Sequence, residues 1–298
     1  MATLPRITVV TPSYNQACYL EETIESVLTQ KYPNLEYIVI DGGSTDGSVE
    51  IIRNYSDKMK YWISEPDQGQ SHAINKGFTQ ATGDILCWLN SDDVFLPGAL
   101  ACVGEQFQRR PQVDMLMGYT VFVSAEKRIQ RCVYNLMRLH MLAKYGVIAF
   151  SQQSMFWRRE LLERVGCLDE SLHACMDVDL WIRFLKASAK VRRINRYLAA
   201  WRLHSACKSV AFDGFAENKP DAARLEASTI WDKERRLLRE RHRDYRYGNT
   251  ARWAIMLYRI YKLCYGDYVR DLMFRVKWKD KPLEGLSRSL DRSHLRAS

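Results

Sequence analysis

Four short apolar runs punctuate the first ninety positions: Ile7-Thr8-Val9-Val10, Tyr37-Ile38-Val39-Ile40, Tyr61-Trp62-Ile63 and Ile85-Leu86-Cys87-Trp88-Leu89. Each is too short for a helix and rich in β-branched or aromatic residues, so each predicts a buried strand. The segments between them carry helical spacing instead. Leu20, Ile24, Val27 and Leu28 fall on one face, with Asn15 placed to cap that helix. Val49, Ile52 and Tyr55 form a second face behind Ser44 or Asp46 as caps, and Ala73, Ile74 and Phe78 a third within residues 71–82. Continuous apolar strands separated by helices predict an α/β fold with a mostly parallel central sheet covered on both faces.

Beyond Pro97 the pattern is less regular. Leu100 to Phe107 predicts a helix, Met115 to Val123 an extended segment, and Leu180, Trp181, Phe184 and Leu185 another amphipathic helix. After about Val210 the chain turns to helices rich in Arg, Trp and Tyr. Thr250 is placed to cap one whose Trp253, Leu257, Ile260 and Cys264 share a face. The resulting division is a first half over about 1–98 and a second over about 99–215 of one domain, and a helical extension over 216–298.

Charge sharpens that division. The chain carries 44 Lys plus Arg against 35 Asp plus Glu, but the two balance at 26 each through Ile230. The last 68 residues hold 18 basic and nine acidic residues, so the extension carries the whole excess. Its acids are interspersed with its Arg residues, which argues against a nucleic-acid groove. Packing on the body, a dimer contact or a membrane surface all suit it. The run from Leu136 to Phe150 is broken by Arg138, His140 and Lys144 and is too short to cross a bilayer. Eight scattered cysteines without a CxxC pair read as reduced core residues. With no signal peptide expected ahead of Ile7, a cytoplasmic protein follows, peripheral to a membrane at most.

In an open parallel sheet, ligands bind beyond the carboxyl ends of the strands. Those ends read Thr11-Pro12-Ser13-Tyr14-Asn15, Asp41-Gly42-Gly43-Ser44, Glu65-Pro66-Asp67 and Asn90-Ser91-Asp92-Asp93. Three of the four carry carboxylates and none a basic cluster, which favours a metal, a sugar or a base edge as the contacted group. Neither GxxxxGK[ST] nor GxGxxG occurs. Adjacent carboxylates at Asp92 and Asp93 repel unless a cation or solvent screens them, and hard oxygen ligands suit Mg²⁺ or Mn²⁺. The same two residues could equally cap the next helix.

These stretches together resemble family 2 glycosyltransferases, which have the GT-A fold. Residues 7–15 resemble the family's opening strand and residues 37–47 its second strand and turn. Asp67-Gln68-Gly69-Gln70-Ser71, Ala73-Ile74-Asn75-Lys76-Gly77, Gly83-Asp84-Ile85 and Asn90 to Asp93 follow in order. Weaker similarity continues through Asp177 to Arg183 and Trp201 to His204.

The resemblance implies roles. Asp41 would accept hydrogen bonds from a nucleotide base, with Thr11, Pro12, Tyr14 and Asn15 lining base and ribose. Asp67 would lie near the ribose or donor sugar, Lys76 near the diphosphate, and Asp93 against a sugar or the acceptor. Asp92 matches the second acid of the DxD metal motif. Asn90 replaces the first acid, so the divalent metal (Mn²⁺ or Mg²⁺) should rely more on the donor diphosphate. Asp177 matches the catalytic base, with Asp179 as the fallback. Met176 stands where the family's preceding Glu would be. His204 matches a late His that contacts the metal or the diphosphate, and Gln152, Gln153 and Trp157 are placed to line a sugar.

The reaction so implied is inverting transfer of a sugar from a nucleoside diphosphate, UDP favoured, to a hydroxyl of a glycan or lipid-linked acceptor. A sugar nucleotidyltransferase would need a Gly- and basic-rich loop after the first strand, which Thr11 to Asn15 lacks. A catalytically silent binding protein on the same fold stays open through Asn90 and Met176.

Overall fold

The apolar runs form strands, three of them buried on both faces and the Tyr61–Ile63 run half-buried at the sheet edge. In β1 (Ile7–Ser13), buried along its whole length, Ile7 and Val9 join one apolar cluster and Val10 another. This computed structural model describes residues 3–134, 150–205, 207, 221–244, 252–264 and 266–295. The expected Thr250 cap, the 215/216 boundary and most of the 136–150 run lie outside those residues.

β1 pairs in parallel with β2 (Leu35–Asp41) on one side and β4 (Ile85–Trp88) on the other, and β2 with β3 (Tyr61–Ser64). The sheet continues through β8 (Met155–Arg158), β6 (Met115–Ser124), β9 (Val191–Leu203) and β5 (Val94–Phe95). β7 (Ile129–Tyr134) pairs with β6, completing nine strands. β8 runs antiparallel to β4, and β9 parallel to β6.

Helices cover both faces. α1 (Ala17–Leu28) and α4 (Ala99–Arg109) pack on the side of Ile7, Val9 and Tyr37. α3 (Gln70–Gln80) and α6 (Met176–Lys186) pack on the side of Val10, Ile38 and Trp88. Phe78, Trp88 and Trp157 meet edge to face there, with centroids 5.5–6.3 Å apart. Two short helices, α2 (Ser48–Asn54) and α5 (Arg159–Val165), complete the body.

Several caps come from residues other than those expected. Gln16 holds the N-cap position of α1, and Asp46 reaches across to accept the Ala17 N–H at 2.8 Å. Asn15 instead adopts φ 50° and clasps the β2 loop through Ser44 and Thr45. Gly98 precedes α4, so neither Asp92 nor Asp93 caps that helix.

The extension packs on the body at two places. α7 (Asp221–Arg241) buries Leu238 in the α3–α6 cluster. α8 (Arg252–Cys264) leads into α9 (Asp267–Trp278) and α10 (Leu283–Leu295), where Phe274, Leu283 and Leu286 pack with β6 and β7. On α8, Trp253, Leu257, Ile260 and Cys264 are exposed, and Ala254 points inward.

Candidate active site

The sheet order places β2 and β3 on one side of β1 and β4 on the other, so the strand order reverses between β1 and β4. A crevice at that reversal is where open α/β sheets bind ligands. Thr11 to Asn15 leave β1 there, and Asn90 to Asp93 leave β4.

Asp92 and His204 meet in that crevice, with Oδ2 2.9 Å from Nε2. His204 comes from the end of β9, so the contact joins residues 112 apart in sequence. Its ring also packs at a tilt of 42° against Tyr19, with centroids 4.6 Å apart. Cys207 lies beside them, and one ligand atom from each of the three lies within 4.8 Å of the others. The carboxylate oxygen and imidazole nitrogen so placed suit a divalent cation such as Mn²⁺, while the Cys207 sulfur is a softer ligand than Mn²⁺ ordinarily takes. Sequence reasoning passed over Cys207, which had no motif to mark it. Burial, reinforced by the Asp92 and Asp93 carboxylates, pushes its thiol up, and a bound metal would have to displace that proton.

Arg202 holds the Asp92 turn in place. Its Nε donates to the Asp92 carbonyl at 3.0 Å, and its other arm reaches Glu22 at 2.6 Å. Asp93 is fully buried and accepts from the Arg202 N–H and from Gln153, while Asn90 approaches at 3.3 Å. Burial first, then the Asp92 carboxylate, raises the Asp93 pKa well above the usual range. Asp93 therefore braces the turn from behind. Gln152 donates to the Trp88 carbonyl at 2.6 Å, and Trp157 is core, 1% exposed.

Asp177 opens the first turn of α6, where its Oδ1 accepts the Val178 N–H at 2.8 Å. Burial raises its pKa to about 6 against that hydrogen bond, and the Glu234 carboxylate adds to the rise. Glu234, on α7, accepts three consecutive backbone N–H groups, from His173, Ala174 and Cys175, at 2.7–2.9 Å. Asp179 is differently placed. Burial opposes its charge, but bonds from His242, Arg183 and Arg241 win and hold it at about 2. A carboxylate so paired is a structural anchor and a poor base.

Two consecutive residues connect these halves. Gln70 donates to Asn90 at 2.7 Å, and Ser71 donates to the Leu172 carbonyl at 3.0 Å and lies 2.8 Å from the Met176 sulfur.

The remaining predicted residues are distributed around the β1–β4 crevice. Asp41 is fully buried and receives the Gly43 and Ser44 N–H groups and the Ser44 and Ser64 hydroxyls. It organises its own loop, and a base edge would have to compete with Ser44 for it. Asp67 accepts the Gly69 N–H at 2.7 Å, and its carboxylate lies against Gly42. Tyr14 is 61% exposed at the mouth, and Thr11 is buried under the Tyr37 hydroxyl, with Pro12 buried beside it. Lys76 pairs with Glu65 at 2.7 Å, six residues or roughly 9 Å along α3 from Gln70, away from the Asp92 turn.

The model for glycosyl transferase family 2 matches residues 8–166, more than half of the chain. The chain belongs to glycosyltransferase family 2. An uncharacterized glycosyltransferase of Nostoc sp. is 30% identical over 212 residues, covering 67% of this chain and 66% of that protein. One from Rickettsia typhi is 28% identical over 215 residues, covering 68% and 65%. The chain thus spans just under two thirds of the length of these curated relatives. Among solved structures, S. aureus TarS 1-349 in complex with UDP-GlcNAc aligns with TM-score 0.54 at 16% identity, over 80% of this chain and 74% of that one. Mannosyltransferase PcManGT from Pyrobaculum calidifontis, in complex with GDP-Man and Mn²⁺, aligns with TM-score 0.53 at 19% identity, over 75% and 69%. These likenesses show a GT-A-like glycosyltransferase fold. The family 2 match includes Asp41, Asp67 and the Asn90–Asp93 turn but ends before Asp177, His204 and Cys207.

Proposed function

We propose that the chain is an inverting glycosyltransferase that moves a sugar from a nucleoside diphosphate, UDP favoured, to a hydroxyl of a glycan or lipid-linked acceptor. The observation that carries this reading is the bridge made by Gln70 and Ser71. Gln70 bonds Asn90, two residues before Asp92, and Ser71 meets Met176, next to Asp177, so adjacent residues of α3 tie the turn assigned to the leaving group to the one assigned to the base. Asp177, at about pKa 6, is ionised at neutral pH yet basic enough to accept a proton. The acceptor oxygen forms the new bond to the anomeric carbon from the face opposite the diphosphate, and its proton passes to Asp177. The old carbon–oxygen bond breaks, and its electron pair leaves with the nucleoside diphosphate. Asp92 and His204, with Cys207, would hold a divalent metal whose charge stabilises that departing diphosphate. Thr11 to Asn15, Asp41 and Asp67 form the wall available to base and ribose.

The test is thermal stability with UDP, GDP and dTDP, each with and without Mn²⁺, on the wild type and Asp92→Ala. A ligand at a hundred times its dissociation constant adds about 2.7 kcal/mol, which shifts Tm visibly. Metal-dependent stabilisation by one diphosphate, lost in the variant, supports the reading. No nucleotide effect under any condition sinks it and leaves a silent binding protein on the same fold.

A further inference from the structure

Large apolar side chains are exposed very unevenly. Before Ile230, Tyr14 is the single one among the described residues. In α8 and α9 they are dense: Leu263 is 69% exposed, Leu272 64%, Met273 67% and Val276 78%, with Met256 and Val269 above half. A patch of this kind marks an interaction surface.

The arrangement is rigid. On α9, Tyr268, Val269, Leu272, Met273 and Val276 share the outer face, while Asp267 and Phe274 are buried against the body. Asp267 holds Arg193 of β9 at 3.3 Å and Arg270 at 2.9 Å. α8 turns Ala254 inward and Leu257, Ile260 and Leu263 outward. Fixed apolar side chains on two adjoining helices cannot fold away from water.

The charge around them has one sign. α8 contains Arg252, Arg259 and Lys262 and no acid. Both acids of α9 are neutralised within the protein, Asp267 as above and Asp271 by Arg275 at 2.9 Å. Lys277 and Lys279 extend the basic rim. No described helix is long and apolar enough to cross a membrane.

We infer that the outer face of α8 and α9 docks on an anionic lipid surface, lying in the plane of the interface. Apolar side chains enter the acyl boundary while Arg and Lys meet headgroup phosphates. A second copy of the chain is a poorer occupant, because two such faces would bring like charges together. β9 links this anchor to the active site: from Arg193, paired with Asp267, to Arg202 at the Asp92 turn is nine residues, roughly 30 Å of strand. The inference does not depend on the donor or on Asp177.

The test is sedimentation of the full chain with vesicles of phosphatidylcholine alone and of phosphatidylcholine mixed with phosphatidylglycerol. The comparison proteins are a combined Leu272→Glu, Met273→Glu, Val276→Glu variant and the single variant Leu263→Glu, which keeps the measurement usable if the triple variant fails to fold. The wild type should partition to the mixed vesicles, weaken at high salt and bind neutral vesicles less. The triple variant should lose about tenfold or more in partitioning with its Tm unchanged, and Leu263→Glu a smaller part. Wild type left in the supernatant with both vesicles overturns the inference. So does binding that the substitutions leave untouched. A concentration-dependent dimer abolished by the same substitutions, without vesicle binding, assigns the face to a second copy instead.

Discussion

Cys175, the residue immediately before α6, donates its N–H to Glu234 on α7 at 2.8 Å, and the two preceding residues donate to the same carboxylate. A helix N-terminus leaves its first N–H groups unpaired, and an anion there is favourable. The extension thus places a carboxylate on the loop that leads into the helix carrying Asp177, beside that helix's positive end. Glu234→Gln keeps the shape but removes the charge. We expect it to cost about 2 kcal/mol of stability. It should also move the acid limb of the pH–rate profile to lower pH, since the Glu234 charge helps hold the Asp177 pKa up. Thermal unfolding and kcat/KM against pH check both. An unmoved limb would limit Glu234 to holding the loop before α6.

Asp177 makes a prediction of definite sign. Its folded pKa, about 6, lies above the ordinary 3.8, so the folded state holds its proton more tightly than the unfolded chain. The stability this confers is fully present below about pH 4 and is lost as pH rises through 6. Asp177→Asn has no such loss. Its stability relative to wild type should therefore climb between pH 4 and 6, by up to about 3 kcal/mol. Transfer should fall by about 10² to 10⁴ with donor binding retained. Denaturation at several pH values, with single-turnover assays, tests the pair of effects.

How far the sequence displayed this site depends on how local each signal is. The strands β1 to β4 were legible because each carries a short run of mostly β-branched or aromatic residues, buried in β1, β2 and β4 and half-buried in the edge strand β3. β9 was not: Arg193 and Arg202 interrupt its pattern, and both are buried only because Asp267 and Glu22 lie 74 and 180 residues away in sequence. Asp92 was marked by the carboxylate beside it, but His204 was reached through resemblance, since nothing in spacing joins residues 112 apart. Glu234 was invisible for a related reason. Among the Arg residues of α7 it reads as one partner of a solvated charged face, and only the fold brings the backbone of His173 to Cys175 onto it.

The Asp92–His204 pair also separates metal binding from folding. The two bond directly at 2.9 Å, with His204 buried. His204→Ala should weaken Mn²⁺ affinity by at least about tenfold while changing metal-free stability far less than a core deletion would. Titration calorimetry with Mn²⁺ and the metal-free Tm measure the two. A large fall in metal-free Tm with unchanged affinity would make His204 structural.

Gly42 offers a test of the donor wall that leaves the metal cluster alone. A Cβ added there would meet Asp67 Oδ2 at 2.7 Å and its Cγ at 3.0 Å. The Asp67 carboxylate can swing aside, but that breaks its bond to the Gly69 N–H at the start of α3. Gly42→Ala should therefore cost about 1 kcal/mol, the worth of one such bond. It should also weaken nucleotide-dependent stabilisation, because Asp67 leaves the crevice. The cause is isolated by a cycle with Asp67→Ala. If the clash with Asp67 is the whole effect, adding Gly42→Ala to Asp67→Ala costs nothing further, and the two changes are non-additive by about the same amount. Additive losses would mean that Gly42 is needed for its own backbone and that Asp67 merely lies beside it.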